Sequence, residues 1–299
     1  MRFFTGVTDR DWFFQLQAEH ADEVNFWKPS AKEDWHLLQP GEPFLFKLKG
    51  SPHYIVGGAF FVRYSVMPAS VAWAAFGSKN GTRSLEGLKA KIIGHTHRSS
   101  PDPQVGCIIL TQPFFFEQEA WVPVPAWGNA IVQGKRYLTE NADGAAIWAA
   151  VTEHLNYANW LDFSEYERYQ EQTIMQRVGQ GGFRVLVMDA YNRRCAVTGE
   201  RTLPVLQASH IIPYSEHGKH IVSNGLFLRS DIHTLFDAGY LTVTPDLHVE
   251  VSSRIKSEFE NGKDYYALQG RELISLPGPD ILRPSRESLV WHNEHRFAA

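Results

Sequence analysis

Cysteine is scarce in this chain, which contains only Cys107 and Cys195 among its 299 residues. Two cysteines cannot form a disulfide framework or a four-cysteine zinc site, so we expect a reducing, cytoplasmic location and no structural zinc. Long hydrophobic runs are missing as well, and the opening residues MRFFTGVTDRDW lack the apolar core and the cleavage site of a signal peptide. No membrane partner is therefore expected.

The chain also lacks an excess of positive charge, since its 29 Lys and Arg face 33 Asp and Glu, for a formal net charge of −4. A nucleic-acid partner would therefore have to meet a local basic patch. Residues 177–201 contain five arginines against two acidic residues, Asp189 and Glu200. The arginines are Arg177, Arg184, Arg193, Arg194 and Arg201. They are candidates for contact with DNA phosphates, and a solvated surface is the competing interpretation.

Aromatic residues are abundant in the first part of the chain, where six of the nine Trp and thirteen of the nineteen Phe precede residue 140. Apolar runs such as PFLFKLKG, HYIVGGAFFVRYSV and VGCIILTQPFFF, separated by Gly and Pro, predict the strands of a compact β-rich domain. Helices are predicted in DWFFQLQAEH, with Asp9 as its cap, in PASVAWAAF and in SLEGLKAKII.

The spacing of apolar residues changes after residue 140. The segments ADGAAIWAAVTEHLNYANW and SEYERYQEQTIMQRV have helical spacing, the second being polar on most of its faces. The sequence therefore predicts an N-terminal domain over 1–140, a helical connector over 141–177 and a C-terminal domain over 178–299.

The side chains best suited to catalysis lie in the C-terminal domain. His210 ends the apolar run PVLQASHI, Asn224 follows fourteen residues later, and His233 follows nine residues after that. Hydrolysis of a DNA phosphodiester needs a deprotonated water and stabilisation of charge on the transition state and the leaving oxygen. A histidine suits the first task, and one divalent cation with few protein ligands suits the second.

Three segments of this region carry a family resemblance: CAVTG (195–199), ASHIIP (208–213) and NGLFLRSDIHTLFD (224–237). In order and spacing they resemble a subgroup of the HNH nucleases, and the resemblance extends over about 177–240. It implies a ββα-metal fold in which PVLQASHI and GLFL are strands and SDIHTLFD is a helix, with Ser230 as the expected cap.

The same resemblance assigns roles to single residues. It implies that His210 is the general base, that Asn224 holds the loop between the strands, and that His233 binds one ion of the Mg²⁺ or Mn²⁺ class per active site. Many HNH enzymes have Asp or His before the base, whereas this chain has Ser209, a weak ligand. Asp231, Asp237 or water remain open as further ligands. We expect the other histidines of the region, His217, His220 and His248, to be exposed polar residues.

The N-terminal segments FTGVTDRDWF, VNFWKP, LQPGEPFLFKLK, YIVGGAFF and LTQPFFFEQEAWVPVPAW resemble the PUA superfamily, nearest to EVE domains and more distantly to SRA and YTH domains. The resemblance implies a β-barrel with flanking helices that accepts a flipped, modified base in an aromatic pocket. Stacking and hydrogen bonds to the base edge would offset the cost of flipping, and a methyl group can fill an apolar recess.

Candidates for this pocket are the aromatic residues of the domain, for each of which core packing is the competing interpretation. They are Trp12, Trp27, Trp35, Phe60, Phe61, Tyr64 and Trp73. Polar candidates for reading a base edge are Asn25, Ser78 and Asn80. Candidates for contact with the DNA backbone, with solvated side chains as the alternative, are Lys28, Lys79, Arg83, Lys89, Lys91 and Arg98.

Together these features predict an α+β protein that acts as a modification-dependent restriction endonuclease. Its first domain would recognise 5-methyl- or 5-hydroxymethylcytosine in double-stranded DNA, and its HNH domain would cut nearby. A homodimer is expected because one active site cuts one strand. Three alternatives stay open: a nuclease for an unmodified sequence, a reader of modified DNA that does not cut, and an enzyme directed at RNA.

Overall fold

The computed structural model describes residues 1–31, 35–97, 100–124, 127–128, 130–157 and 177–298. The fold is mixed α+β, as expected, and the chain forms two compact units, Met1–Gly182 and Phe183–Ala299. The predicted polar helix SEYERYQEQTIMQRV lies almost entirely outside the described residues. No helix of the described residues has both the length and the apolar composition that crossing a bilayer requires.

One large sheet organises the first unit. Its strands are β1 (Arg2–Thr8), β2 (Glu23–Lys28), β3 (Pro43–Leu48), β4 (Tyr54–Pro68), β5 (Gln104–Phe115), β6 (Val122–Pro123) and β7 (Gly134–Leu138). They pair in the order β2-β5-β4-β3-β1-β7, with β6 beside β4. All neighbouring pairs are antiparallel except β1 and β3, which are parallel.

Among the described residues, four helices accompany this sheet: α1 (Arg10–Ala18), α2 (Ala69–Phe76), α3 (Leu85–Thr96) and α4 (Ala142–Tyr157). The predicted cap of α1 is confirmed, because Asp9 Oδ1 accepts a hydrogen bond of 2.7 Å from the amide of Trp12. Helix α4 occupies the first part of the predicted connector and packs Ile147 and Val151 into a core cluster that also contains Phe3 of β1.

The sheet buries both of its faces because its strands alternate large apolar side chains. On β3, Phe44 and Phe46 belong to one apolar cluster, whereas Leu45 belongs to the other. The expected closed barrel is not found: among the described strands, β2 and β7 are open edges that do not pair with each other. Helix α4 covers one face of the sheet instead, which buries apolar surface without closure of the strands.

The second unit is built around a short hairpin and a helix. Its elements are α5 (Gln180–Ala190), which leads into the unit, β8 (Leu206–His210), β9 (Gly225–Arg229), α6 (Ser230–Asp237), β10 (Leu241–Val243), β11 (Val249–Val251), α7 (Arg254–Phe259), α8 (Lys263–Tyr266) and α9 (Arg286–His295). β8 and β9 are antiparallel, and α6 follows β9 directly. The predicted ββα order is therefore present.

Two features of this unit concern α6: how the helix begins, and which helix packs against it. The predicted cap Ser230 is wrong, because the helix already begins at Ser230 and the preceding residue, Arg229, makes no side-chain capping bond. The Arg229 guanidinium pairs with Asp231 in the first turn instead. Helix α9 packs behind α6, where His292 stacks on Phe236 with ring centroids 3.7 Å apart.

Candidate functional site

The hairpin β8–β9 places His210 and Asn224 at the same end of two paired strands. His210 is the last residue of β8 and pairs in register with Gly225, the residue that follows Asn224. The Asn224 carboxamide closes the loop between the strands: its Oδ1 accepts from the Ile212 amide at 3.0 Å, and its Nδ2 donates to the carbonyls of Ile212 and Lys219 at 3.0 and 3.1 Å. Asn224 is buried, so these bonds are protected from water.

The imidazole of His210 lies between two other rings. Phe183 of α5 stacks on it, with centroids 3.9 Å apart and planes inclined by 14°. The ring of His220 meets it nearly edge-on, with centroids 5.0 Å apart. Burial away from water, followed by the nearby His220, lowers the pKa of His210 to about 4. His210 is therefore neutral near pH 7 and has a nitrogen free to accept a proton.

His220 itself departs from expectation. His217 and His248 are exposed, as predicted, but His220 is half-buried and also contacts the rings of Phe183 and Tyr214. The residue before it, Lys219, is fixed through its carbonyl, which accepts a hydrogen bond from Asn224. In the sequence, only the position of His220 inside the loop closed by Asn224 pointed to this placement.

His233 lies in the first turn of α6 and is held by two polar neighbours. Gln207 Oε1 lies 2.7 Å from its Nδ1, and Asp237 Oδ2 lies 3.1 Å from its Nε2. Both neighbours offer acceptor oxygens, so a proton on Nδ1 that is donated to Gln207 would leave Nε2 to share a cation with Asp237. Gln207 was not predicted as a site residue, although it precedes Ser209 by two positions and thus shares its face of β8.

These donors fit a divalent cation with few protein ligands. A separation of about 3 Å is what two adjacent ligands have when each lies roughly 2.1 Å from one ion, and Nε2 of His233 and Oδ2 of Asp237 are 3.1 Å apart. Within the described residues, no group of three or more His, Cys, Asp or Glu side chains is arranged to hold a metal. Such a pair leaves coordination positions for water and phosphate oxygens.

The other two ligand candidates are engaged elsewhere. Asp231 makes two bonds of 2.7 Å to the Arg229 guanidinium, which lowers the pKa of its carboxyl, and it accepts a longer bond from Tyr265. Ser209 is fully buried, and its hydroxyl donates to the carbonyl of His210 at 3.4 Å. Asp237 is therefore the carboxylate that the structure brings to His233.

Of the five arginines in 177–201 that were predicted to contact DNA phosphates, only some are exposed. Arg177, Arg194 and Arg201 are exposed. Arg193 pairs with Asp189 at 3.4 Å. Arg184 is half-buried, and burial lowers the pKa of its guanidinium.

A separate cavity of about 390 Å³ lies in the first unit. Three of the predicted aromatic candidates, Trp12, Trp27 and Trp35, line it. Phe4, Phe26, Lys28, Lys49 and His95 are further lining residues. The volume suits a ligand of the size of one nucleobase, and the combination of rings and cations suits a base beside a phosphate. Of these rings Trp27 is only half-buried, and its Nε1 donates to the carbonyl of Asn80 at 3.0 Å.

The remaining candidates of the first domain do not line this cavity. Asn25 and Asn80 are fully buried and bond to each other, Nδ2 to Oδ1, at 2.8 Å. Ser78 donates to Glu19. Phe60 and Phe61 are core residues, while Tyr64 and Trp73 are half-buried.

The lysines predicted to contact DNA are mostly paired with carboxylates. Lys79 bonds to Asp22 and Glu23, at 2.5 and 3.2 Å. Lys89 lies 3.8 Å from Asp102, and Lys91 lies 3.5 Å from Asp9. Arg83 is exposed, and Arg98 lies outside the described residues.

Comparison with known protein families gives a match within the second unit. Residues 195–244 match the family model described as HNH endonuclease, so the chain contains an HNH endonuclease domain. No curated protein matches the chain. Among solved structures, the chain is similar to "Modification dependent TagI restriction endonuclease", with 14% sequence identity and a TM-score of 0.29 over 92% of this chain and 75% of that one.

Proposed function

We propose that the protein is a metal-dependent DNA endonuclease that requires a modified cytosine in its substrate. The nuclease proposal depends on one observation. The same ββα unit contains a neutral imidazole, that of His210, and a His233–Asp237 pair that suits a cation. The match of residues 195–244 to HNH endonucleases supports it.

Each residue of this site has a separate task in the proposed reaction. His210 removes a proton from the attacking water, since its ring is neutral at physiological pH. Asn224 holds the loop that follows His210, and Gln207 fixes the ring orientation of His233. His233 and Asp237 would hold one cation of the Mg²⁺ or Mn²⁺ class, which when bound neutralises charge on the phosphate and stabilises the leaving oxygen.

The aromatic cavity of the first unit supports recognition of a flipped base. Its tryptophans offer flat apolar surface for stacking, and Lys28 and Lys49 offer positive charge for phosphates. A 5-methyl or 5-hydroxymethyl group on cytosine adds apolar contact that unmodified cytosine lacks, which gives the cavity a basis for discrimination. We propose double-stranded DNA as the partner and a homodimer as the state that cuts both strands.

The experiment compares plasmids that differ only in cytosine modification, with wild-type protein and the variants His210→Ala and His248→Ala. Wild type should cut the modified plasmid in the presence of Mg²⁺ or Mn²⁺ and leave the unmodified one intact. His210→Ala should still bind the modified DNA but lose cutting by about 100-fold or more. His248→Ala, an exposed histidine of the same unit, should behave as wild type.

Three results would refute separate parts of the proposal. Equal cutting of both plasmids removes the modified-base requirement and favours a nuclease for unmodified DNA. Full activity of His210→Ala removes His210 from the mechanism. Binding to modified DNA without cutting by wild type at any metal concentration would indicate a reader that is not an enzyme.

A further inference from the structure

Helix α5 begins within the first unit, where a buried carboxylate holds its first turn. Glu23 of β2 is 1% exposed, and its two oxygens accept hydrogen bonds from the amides of Gly181 and Gly182, at 2.8 and 2.9 Å. The Lys79 ammonium lies 3.2 Å from the same carboxylate. The first amides of a helix have no partner inside the helix, and bonds to a carboxylate are stronger than bonds between neutral groups. Glu23 therefore fixes the start of α5.

The glycines of the segment GQGG (179–182) allow this close contact. A Cβ atom on Gly179 would lie 2.5 Å from the carboxyl carbon of Glu23. A Cβ atom on Gly182 would lie 2.5 Å from the Val178 side chain and 3.3 Å from Oε2 of Glu23. Larger residues at these positions would push the first turn of α5 and the carboxylate apart.

The same helix packs against the end of the hairpin that carries His210. Phe183, Val187 and Tyr191 are spaced four residues apart, so they share one face of α5, and all three are buried. Phe183 stacks on His210 with ring centroids 3.9 Å apart. The Tyr191 hydroxyl donates to the carbonyl of Gly225, the residue that pairs with His210, at 3.0 Å. The position of the His210 imidazole therefore depends on the position of α5.

We propose that Glu23 is a positioning residue of the general base: by holding the first turn of α5, it keeps Phe183 stacked on the imidazole of His210. Phe183 directly follows Gly182, one of the two residues that Glu23 binds, so a displaced first turn would displace this ring as well. The inference rests on the proposed role of His210 as the base. Glu23 touches neither the water nor the phosphate in this scheme, and it acts through α5 alone.

The test reads the contact between Phe183 and His210, by proton–carbon NMR of the full chain with isotope-labelled histidine, without DNA or metal. A pH of about 8, well above the ordinary pKa of histidine, keeps protonation from changing the signals. The His210 signals are assigned by their loss in His210→Gln. In wild type the stacked ring of Phe183 should shift them upfield, and Phe183→Leu should remove this shift. Glu23→Gln places an NH₂ group where a helix amide needs an acceptor, so it should move the signals toward their positions in Phe183→Leu.

Two further variants separate the role of Glu23 from other effects. Asp22→Asn removes the exposed carboxylate that also pairs with Lys79 and leaves Glu23 in place, so it should keep the wild-type signals. Gly179→Ala retains Glu23 but adds a methyl group against its carboxylate, so it should move the His210 signals in the same direction as Glu23→Gln. Thermal unfolding shows which variants are folded, and Gly179→Ala keeps the test decisive should Glu23→Gln not fold.

Cleavage kinetics supply the second readout. Glu23→Gln should lower kcat by roughly 10-fold to 100-fold, as expected when a reacting group is misplaced by a change far from the chemistry. KM for DNA should change little, because the interactions that bind the substrate remain. Asp22→Asn should match wild type in both constants.

The outcomes distinguish this inference from the proposed function. His210 signals that keep their wild-type positions in folded Glu23→Gln or Gly179→Ala, or that move equally in Asp22→Asn, overturn the positioning role whether or not the protein cuts DNA. Shifted signals with an unchanged kcat overturn it as well. Signals that follow Glu23 in a protein whose wild type never cuts support the contact and remove the nuclease proposal.

Discussion

At the scale of single residues, the structure distinguishes two aspartates that the sequence alone leaves as alternative metal ligands. Asp231 and Asp237 both lie on α6, on either side of His233. The first is paired with Arg229, and the second lies 3.1 Å from Nε2 of His233. A carboxylate that already has a guanidinium partner is a poorer ligand, because binding a cation would break that pair.

This difference gives a prediction about metal binding. Asp237→Asn should weaken Mn²⁺ binding by about 10-fold or more, whereas Asp231→Asn should change it little, since it removes only a partly exposed ion pair. Isothermal titration of the full chain with Mn²⁺ in the absence of DNA measures both variants. Equal affinities for wild type and Asp237→Asn would exclude Asp237 as a ligand.

At the scale of elements, α9 shows how a C-terminal helix without catalytic residues supports the site. His292 is buried beneath α6: one ring nitrogen lies 2.8 Å from the Thr242 hydroxyl, and the other lies 3.1 Å from the carbonyl of Phe236. Burial lowers the pKa of His292 from 6.5 to about 4, so the folded protein keeps this ring neutral. The unfolded chain protonates it near its ordinary value.

The sign of the resulting pH dependence follows from proton counting. Between pH 6.5 and 4 the unfolded state binds more protons than the folded state, so the free energy of unfolding should fall as the pH falls through this window. The loss from His292 alone is at most about 3–4 kcal/mol, from a fall in pKa from 6.5 to about 4 at about 1.4 kcal/mol per unit. Above pH 6.5 the contribution is constant.

Urea unfolding at several pH values checks this prediction. His292→Gln should be less stable than wild type at pH 7, because it leaves a polar partner unpaired, but its stability should depend less on pH between 6.5 and 4. His295→Gln, an exposed histidine of the same helix, should keep the wild-type slope. An unchanged slope in His292→Gln would show that this ring is not the source.

Elements and residue roles differ in how far the sequence predicts them. The order of β8, β9 and α6 was expected from the resemblance to the HNH nucleases, and the structure confirms it. Gln207 was not predicted as a site residue and His220 was expected to be exposed, because their contacts join residues that only the fold brings together. A closed barrel was expected from the resemblance to the PUA superfamily, but strand patterns do not determine whether the two edges of a sheet pair or a helix covers it.

At the scale of the whole molecule, the two proposed tasks rest on different units. The proposed hydrolytic site lies wholly within Phe183–Ala299, and the aromatic cavity lies wholly within Met1–Gly182. Recognition and cutting should therefore be separable by single substitutions in either unit. A substitution in the cavity should change which DNA is chosen, whereas one at the hairpin should change how fast it is cut.

Trp27 is the residue on which to test this separation, because it lines the cavity, is half-buried and is anchored by its indole nitrogen to Asn80. Trp27→Ala should weaken binding to DNA with modified cytosine by roughly 10-fold to 100-fold, since base stacking on an aromatic ring contributes about 1–3 kcal/mol. Trp73→Ala removes another half-buried tryptophan, one that does not line the cavity, so it controls for lost packing. Fluorescence anisotropy with matched modified and unmodified duplexes, in buffer with EDTA, measures binding without cutting. Equal weakening in both tryptophan variants, or equal weakening for both duplexes in Trp27→Ala, would mean that the cavity does not read the modification.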